Sequence, residues 1–483
     1  MNALTIIWIA LPLFIGFSIY LLPSICRYLA LGVAIVSLVY GLKTSSLSAA
    51  LDFNLLDNFG VILLIDNLSV FFILTNALVT LGVILYCWHS DKTSFFYTQV
   101  IILHGSVNAA FICADFISLY VALEVISIAA FLLIAYPRSD RSIWVALRYL
   151  FVSNTAMLFY LVGTVLVYQA HHSFSFEGLK GAPLEAVALI FLGLLAKGGI
   201  FIVGLWLPLT HSESETPVSA MLSGVVVKAA IYPLVRCTLM VPEVDPIVRI
   251  FGVGTALLGV IYAIFEQDAK RMLAFSTVSQ LGFILAAPEV GGFYALTHGL
   301  VKSSLFLMAG ALPSRNLREL KNKPMNTAIW IPLVIASFSI SGFPLLSGFG
   351  AKVLTMKNLL PWQVLVMNVA ALGTATAFAK FIFLPHTKEG GRKIKRGFWP
   401  AIALLLSGLF IANGVYYQAY TLTNIIKPLA TIFLAWLTYI FIVERMVIKL
   451  PRVAEQLEHL IGMMSLILIF VFWLLLGSQI SIY

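Results

Sequence analysis

Five lysines stand inside long apolar runs of this 483-residue sequence: Lys197, Lys228, Lys302, Lys352 and Lys380. A charged side chain in a lipid-crossing helix costs roughly 2.5 kcal/mol or more at the helix centre, so an intramembrane lysine reads as functional by default. Of the 21 acids only Glu124 lies deep in such a run, in Leu119-Tyr-Val-Ala-Leu-Glu-Val-Ile-Ser. His298 precedes Lys302 by four residues and shares its helix face. Burial disfavours the charged form of lysine and a nearby carboxylate restores it. A lysine poised between those influences can take up and release a proton near neutral pH. Movement of Glu124 toward or away from Lys197 would then switch Lys197 between holding and passing its proton. For Lys197, Lys228 and Lys302, near the middles of their runs, the alternative is a fixed ion pair or packing charge. Lys352 and Lys380 lie near run ends, where a snorkelling stem competes with function and is the preferred reading for Lys380. No nucleophile triad, phosphate-cradling glycine loop or metal-ligand spacing is present, and Cys26, Cys87, Cys113 and Cys237 form no C-x-x-C pair. The expectation is no metal, no cofactor and no catalytic centre in this chain.

The elements that must hold these residues are membrane helices. Hydrophobic residues make up 61% and charged residues 11% of the chain, and mean hydropathy is +1.00. Soluble proteins draw roughly a quarter of their residues from Asp, Glu, Lys and Arg. Continuous apolar runs long enough to cross roughly 30 Å of hydrocarbon exclude a β-barrel, whose strands alternate. The fold class is therefore an all-α polytopic membrane protein. Hydropathy places about 16 spans, near 3–22, 25–42, 68–89, 95–112, 114–136, 144–169, 184–210, 217–240, 247–265, 272–289, 292–313, 328–356, 362–384, 399–416, 424–443 and 460–477. The first is too long for a signal-peptide core and is expected to remain. The stretch from Lys43 to Asn67 reads as a small surface hairpin.

The net charge of +9 suggests an anionic partner until the basic residues are sorted by position. Loops after odd-numbered spans hold 19 of the 30 Lys and Arg, counting Arg148, Lys270, Arg271, Arg392 and Lys393 among them, and the other loops hold six. By the positive-inside rule the first side is cytoplasmic and both termini lie outside. The basic excess is topology, and no nucleic-acid partner is expected.

Two spans are interrupted. In the seventh, Lys197-Gly-Gly is followed by Trp206-Leu-Pro-Leu-Thr-His-Ser-Glu-Ser-Glu-Thr-Pro; the twelfth carries Ser341-Gly-Phe-Pro-Leu-Leu-Ser-Gly-Phe-Gly-Ala-Lys. Paired broken helices point to an inverted-repeat transporter with its ion path at the breaks. The halves would be spans four to eight and nine to thirteen.

These residues resemble a known family. The run from Leu207 to Tyr232, with Ser-Ala-Met-Leu-Ser-Gly-Val-Val-Val-Lys, is similar to the seventh-to-eighth helix signature of the antiporter-like subunits shared by respiratory complex I, membrane-bound hydrogenases and multisubunit Mrp-type cation/proton antiporters. Asp268-Ala-Lys-Arg-Met-Leu-Ala-Phe-Ser-Thr-Val-Ser-Gln-Leu-Gly, His298-Gly-Leu-Val-Lys-Ser-Ser and Ser341 to Lys352 match later helices. The resemblance covers about residues 60 to 385. It implies a 14-helix core with two inverted five-helix repeats, at 95–240 and 247–384, preceded by N-terminal helices in 1–94 and followed by C-terminal helices in 399–483. It implies Glu124 as the fifth-helix acid, Lys197 as its pair and proton-loading lysine, and Lys228 as central relay. His298 and Lys302 would extend the relay, and Lys352 would lead to the outer half-channel; His211 and Lys380 are accessory candidates. Two departures stand out. Glu213-Ser-Glu-Thr-Pro replaces the family's usual Ala-Pro-Thr-Pro run, and two spans from Ile425 to Leu476 have no family role. A lysine at position 352, the length and the Val-Val-Val-Lys wording lean toward the D-type subunit of an Mrp antiporter. The expected function is then exchange of protons for a monovalent cation, Na⁺ first, beside other membrane subunits in a bacterial inner membrane. The alternative is a proton-pumping membrane subunit of an NADH or ferredoxin:quinone oxidoreductase or a membrane-bound hydrogenase.

Overall fold

A backbone surrounded by hydrocarbon must satisfy its hydrogen bonds internally, and the apolar runs do so as helices. A computed structural model describes residues 2–47, 49–55, 60–388, 394–446 and 448–480. Its helices are α1 (Asn2–Leu21), α2 (Cys26–Thr44), α3 (Asn67–Cys87), α4 (Ser94–Ala110), α5 (Phe116–Ile134), α6 (Asp140–His171), α7 (Leu184–Gly198), α8 (Leu207–Glu213), α9 (Thr216–Met221) and α10 (Lys228–Met240). There follow α11 (Asp245–Phe265), α12 (Ala269–Ala286), α13 (Gly291–Ala309), α14 (Leu317–Leu320), α15 (Thr327–Ser341), α16 (Ser347–Lys357), α17 (Pro361–Ile382), α18 (Phe398–Asn413), α19 (Leu422–Phe441) and α20 (Leu457–Ile480). The expected hairpin is present: β1 (Leu51–Asn54) pairs antiparallel with β2 (Ile62–Ile65), Leu51 opposite Ile65. It is more than a surface ornament, because Leu64 N bonds Ile112 O and Ala114 N bonds Ile62 O, at 2.7 and 2.8 Å.

Helices stand at all sixteen expected places, but they are not alike. Among the described residues twelve are long and apolar enough to cross a membrane. The α12 and α13 helices pass only as a pair bent by 106°. The α4 helix has 17 residues, and α15 and α16 have 15 and 11. By length and composition alone twelve of the sixteen qualify, or thirteen with the bent pair counted as one. The reason is enclosure: every residue of α12 and of α13 is buried, so their outer surfaces meet protein rather than lipid and can carry Ser, Thr, Gln, His and Lys. The α13 helix is the axis of the molecule, packed against α3, α9, α12 and α18.

The two expected breaks share one geometry. Gly199 and Gly342 adopt φ of +72° and +87°, the left-handed conformation that a side chain resists. At the first, Gly199 N bonds Ala196 O and Ile200 N bonds Leu195 O; at the second, Gly342 N bonds Ser339 O and Phe343 N bonds Phe338 O. Both are Schellman-type endings, which satisfy carbonyls a broken helix would leave bare.

Three residues counted with the basic loops lie instead inside helices and are buried: Arg148 in α6, and Lys270 and Arg271 in α12. Arg392 and Lys393 lie outside the described residues. Several loop aspartates are helix caps: Asp66, Asp115 and Asp268 accept from Ser69 N, Ser118 N and Arg271 N at 3.0, 2.7 and 2.9 Å.

Candidate functional site

All five span lysines are at most 6% exposed. They differ in what holds them. Lys197, in the last turn of α7, donates to the hydroxyls of Ser127 on α5 and Ser153 on α6 and, at 3.3 Å, to Leu123 O. Those two hydroxyls also lie 3.0 Å from each other. Glu124 follows Leu123 and interacts electrostatically with Lys197, yet forms no ion pair with it among the described residues, and its Oε1 has no hydrogen-bond partner. The structure thus brings acid and lysine into one neighbourhood without closing the contact, and inserts two serines between helices. Ser127 stands three residues after Glu124, one helix face in common, which was the available signal for it.

Lys228 follows a π-helical turn, Leu222–Val226. Such a turn shifts the backbone bonding pattern and frees carbonyls. Lys228 Nζ takes two of them, Ser223 O at 3.0 Å and Gly224 O at 2.7 Å. On α13, Lys302 Nζ donates to Leu273 O of α12 at 2.9 Å and stands 5.2 Å from the Phe378 ring centroid. Lys228 and Lys302 lie within electrostatic reach of each other and of both His298 and His211. Among the described residues no hydrogen bond or ion pair joins this central cluster to Lys197; the two meet through packing of α7 on α10 and of α5 on the π-helical turn.

Lys352, on α16 beyond the second break, has no hydrogen-bond partner and sits 5.5 Å from the Phe283 ring centroid. It borders a cavity of about 10 Å³ that it shares with His298, Thr297, Gln280, Tyr294 and Ser339, close to the size that admits one water. Both ring nitrogens of His298 and the hydroxyls of Thr297, Ser339 and Ser347 likewise have no protein partner. Polar groups without protein acceptors are therefore concentrated between α13 and the second broken helix. His211 packs edge-on to Phe306.

Lys380 does not snorkel. It is buried, and its Nζ caps the end of α11 through Ala263 O and Glu266 O at 3.1 and 2.8 Å. Burial raises the Glu266 carboxyl, but the Asp268 amide and the Arg271 guanidinium outweigh it and hold Glu266 below the usual carboxylate range.

Sequence reasoning missed Lys270. It is buried on the basic face and donates to Ser214 O at 2.7 Å, in the link between α8 and α9. Its neighbour across that link, Glu215, pairs with Lys92 at 2.5 Å, and Glu213 approaches Arg141 at 3.6 Å. The two additional acids are thus tied to cations. Among the described residues no group of His, Cys, Asp and Glu has the arrangement of a metal site.

Known proteins share both the sequence pattern and the fold. Residues 113–378 match the family model described as NADH:quinone oxidoreductase/Mrp antiporter, TM, a stretch that contains Glu124 and every span lysine except Lys380. The chain is similar to the D-type subunit of the Na(+)/H(+) antiporter of Alkalihalophilus pseudofirmus, 25% identical over 417 residues, covering 77% of this chain and 84% of that one. It is also similar to the N-type subunit of the NADH-quinone oxidoreductase of Desulforudis audaxviator, 31% identical over 379 residues, 70% of this chain and 75% of the relative. Chains with the same fold occur in the membrane-bound sulfane sulfur reductase, an archaeal respiratory membrane complex (TM-score 0.77, 21% identity, 91% of this chain and 99% of that one), and in the Mrp complex from Dietzia sp. (0.75, 20%, 94% and 100%). The chain belongs to the NADH:quinone oxidoreductase/Mrp antiporter transmembrane family.

Proposed function

We propose that this chain is the proton-translocating membrane subunit of a multisubunit antiporter that exchanges protons for a monovalent cation, Na⁺ first. The observation that carries the reading is the set of enclosed lysines and histidines running from Lys197 through Lys228, Lys302 and His298 to Lys352. A lysine with only neutral acceptors around it gives up its proton readily, and a nearby carboxylate reverses that preference. Lys197 loads a proton when Glu124 closes on it and releases it when Glu124 withdraws. Lys228 and Lys302, each held by backbone carbonyls, pass charge in the central cluster. His298 hands it to Lys352 through the small cavity, where a single water completes the step. Residues 95–240 and 247–384 act as the two half-channels, between N-terminal helices in 1–94 and C-terminal helices in 399–483. The basic face is cytoplasmic, both termini lie outside, and the membrane is a bacterial plasma membrane. Partners are the other hydrophobic subunits of the complex.

A second reading has specific support. The N-type relative from the NADH-quinone oxidoreductase is 31% identical, against 25% for the D-type antiporter relative. In that reading the same relay is driven by electron transfer in other chains. Purification of the native complex separates the two. Small hydrophobic partners and a Na⁺-driven pH change in vesicles support the antiporter; flavin or iron–sulfur partners with no Na⁺ response overturn it.

A further inference from the structure

The last helix has no part in the relay above, yet it is fastened to both halves of it. The α20 helix packs on α7, on α6 and on the Phe201–Trp206 turn that follows the first break, and its Phe470 meets Phe251 of α11 edge-on at 5.8 Å between centroids. The α19 helix, by contrast, packs on α17. The segment between them therefore crosses the basic face from one half of the molecule to the other.

Glu455 ends that crossing and is buried, unusual for a linker acid. Its carboxylate pairs with Arg271 of α12 at 2.5 Å, and its backbone carbonyl accepts from the Arg148 guanidinium of α6. Arg271 also pairs with Glu266 at 3.0 Å, and Arg452 reaches the same carboxylate at 3.4 Å. Tyr262 Oη adds a bond to Pro451 O at 3.3 Å. Each arginine sits beside a lysine's anchor. Arg148 lies little more than one turn before Ser153, which holds Lys197; Arg271 lies two residues before Leu273, whose carbonyl holds Lys302. In a buried charge network of this kind, loss of the Glu455 carboxylate leaves Arg271 with Glu266 alone, in surroundings that solvate the remaining charge poorly.

We propose that Glu455 is a positioning residue: through Arg148 and Arg271 it clamps α20 over the first break and fixes α6 and α12, and with them the Lys197 and Lys302 anchors, relative to each other. The clamp rests on the relay reading only for its effect on transport. Its effect on structure is independent of that reading.

The test uses the full chain in its native complex, with three variants measured by hydrogen exchange and by vesicle transport. Glu455→Ala should raise exchange of the backbone amides of residues 199–206 about tenfold, as expected when a local opening is released, with residues 361–382 unchanged, and should slow ion exchange at least about fivefold. Glu455→Gln, which still offers Arg271 an oxygen, should recover most of both. Lys352→Leu, at a relay amine that bonds nothing in the protein, should abolish transport with residues 199–206 as protected as in wild type, so that failure of the relay and failure of the clamp give different results. Unchanged protection at 199–206 in Glu455→Ala overturns the proposal. So does a uniform rise across all helices, which marks a general loss of stability rather than a clamp.

Discussion

The two broken helices end alike and continue differently. Gly199 and Gly342 make the same pair of closing hydrogen bonds, but the first break is then finished by protein groups. Trp206 Nε1 donates to Ala196 O and Phe201 N to Thr255 Oγ1, both at 2.9 Å, and Lys197 lies before the break with three acceptors. At the second break Ser339, Ser347 and Lys352 have no protein partner, Lys352 lies after the break, and a small cavity leads to His298. The first lysine is held by protein acceptors alone; the second borders a small cavity lined by polar groups without protein partners. A shared backbone device thus sits in two different settings, with the difference carried by the side chains around it.

Substituting the two lysines should expose this contrast most strongly. Lys197→Leu loses a set of charge-assisted hydrogen bonds and should destabilise the protein by about 2–4 kcal/mol. Lys352→Leu removes a buried amine that bonds nothing and should be neutral or stabilising. Thermal unfolding of the purified proteins checks both, and equal losses would erase the distinction.

The glycines come next. Gly199→Ala forces a side chain into the left-handed region at about 1–2 kcal/mol, and its Cβ also strikes Leu207. At Gly342 the nearest atom is Lys352 Cδ at 2.9 Å, the middle of a flexible chain. The first substitution should therefore cost more in the same melting assay, about 2–3 kcal/mol in all.

Single hydrogen bonds sharpen the comparison further. Trp206→Phe deletes the donor to Ala196 O and should cost about 1 kcal/mol, read as faster exchange of the amides at 199–201. Ser339→Ala removes a hydroxyl with no protein partner and should stay within about 0.5 kcal/mol of wild type.

The smallest effect concerns pH. Glu266 is held below the usual carboxylate range, so its contribution is complete above about pH 4.3 and is lost as pH falls through its lower folded value. The difference in melting temperature between wild type and Glu266→Gln should be present at pH 6 and shrink as pH falls below about 4.3.

Much of this was legible in the residues. Apolar runs located the long helices because lipid leaves the backbone no other option, and Lys-Gly-Gly and Ser-Gly-Phe-Pro marked both breaks because left-handed backbone wants glycine. What stayed hidden depends on which residues packing encloses. Lys270 and Arg271 sit in a run that reads as a basic loop; only the packing of α12 within the molecule reveals them as buried. Lys380 at a span end looked free to snorkel, and the carbonyls it caps come from a helix more than a hundred residues away in sequence. Ser153 carries no signal as a serine until α5, α6 and α7 converge. Glu455 is one acid in a polar linker, and its partners lie in α6 and α12.

The central claim is that the enclosed lysines move protons, and Lys197 is its most direct test. In everted vesicles carrying the assembled complex, Lys197→Ala should reduce the Na⁺-driven pH change by at least about a hundredfold, with the complex still assembled. Full exchange by that variant would contradict the account.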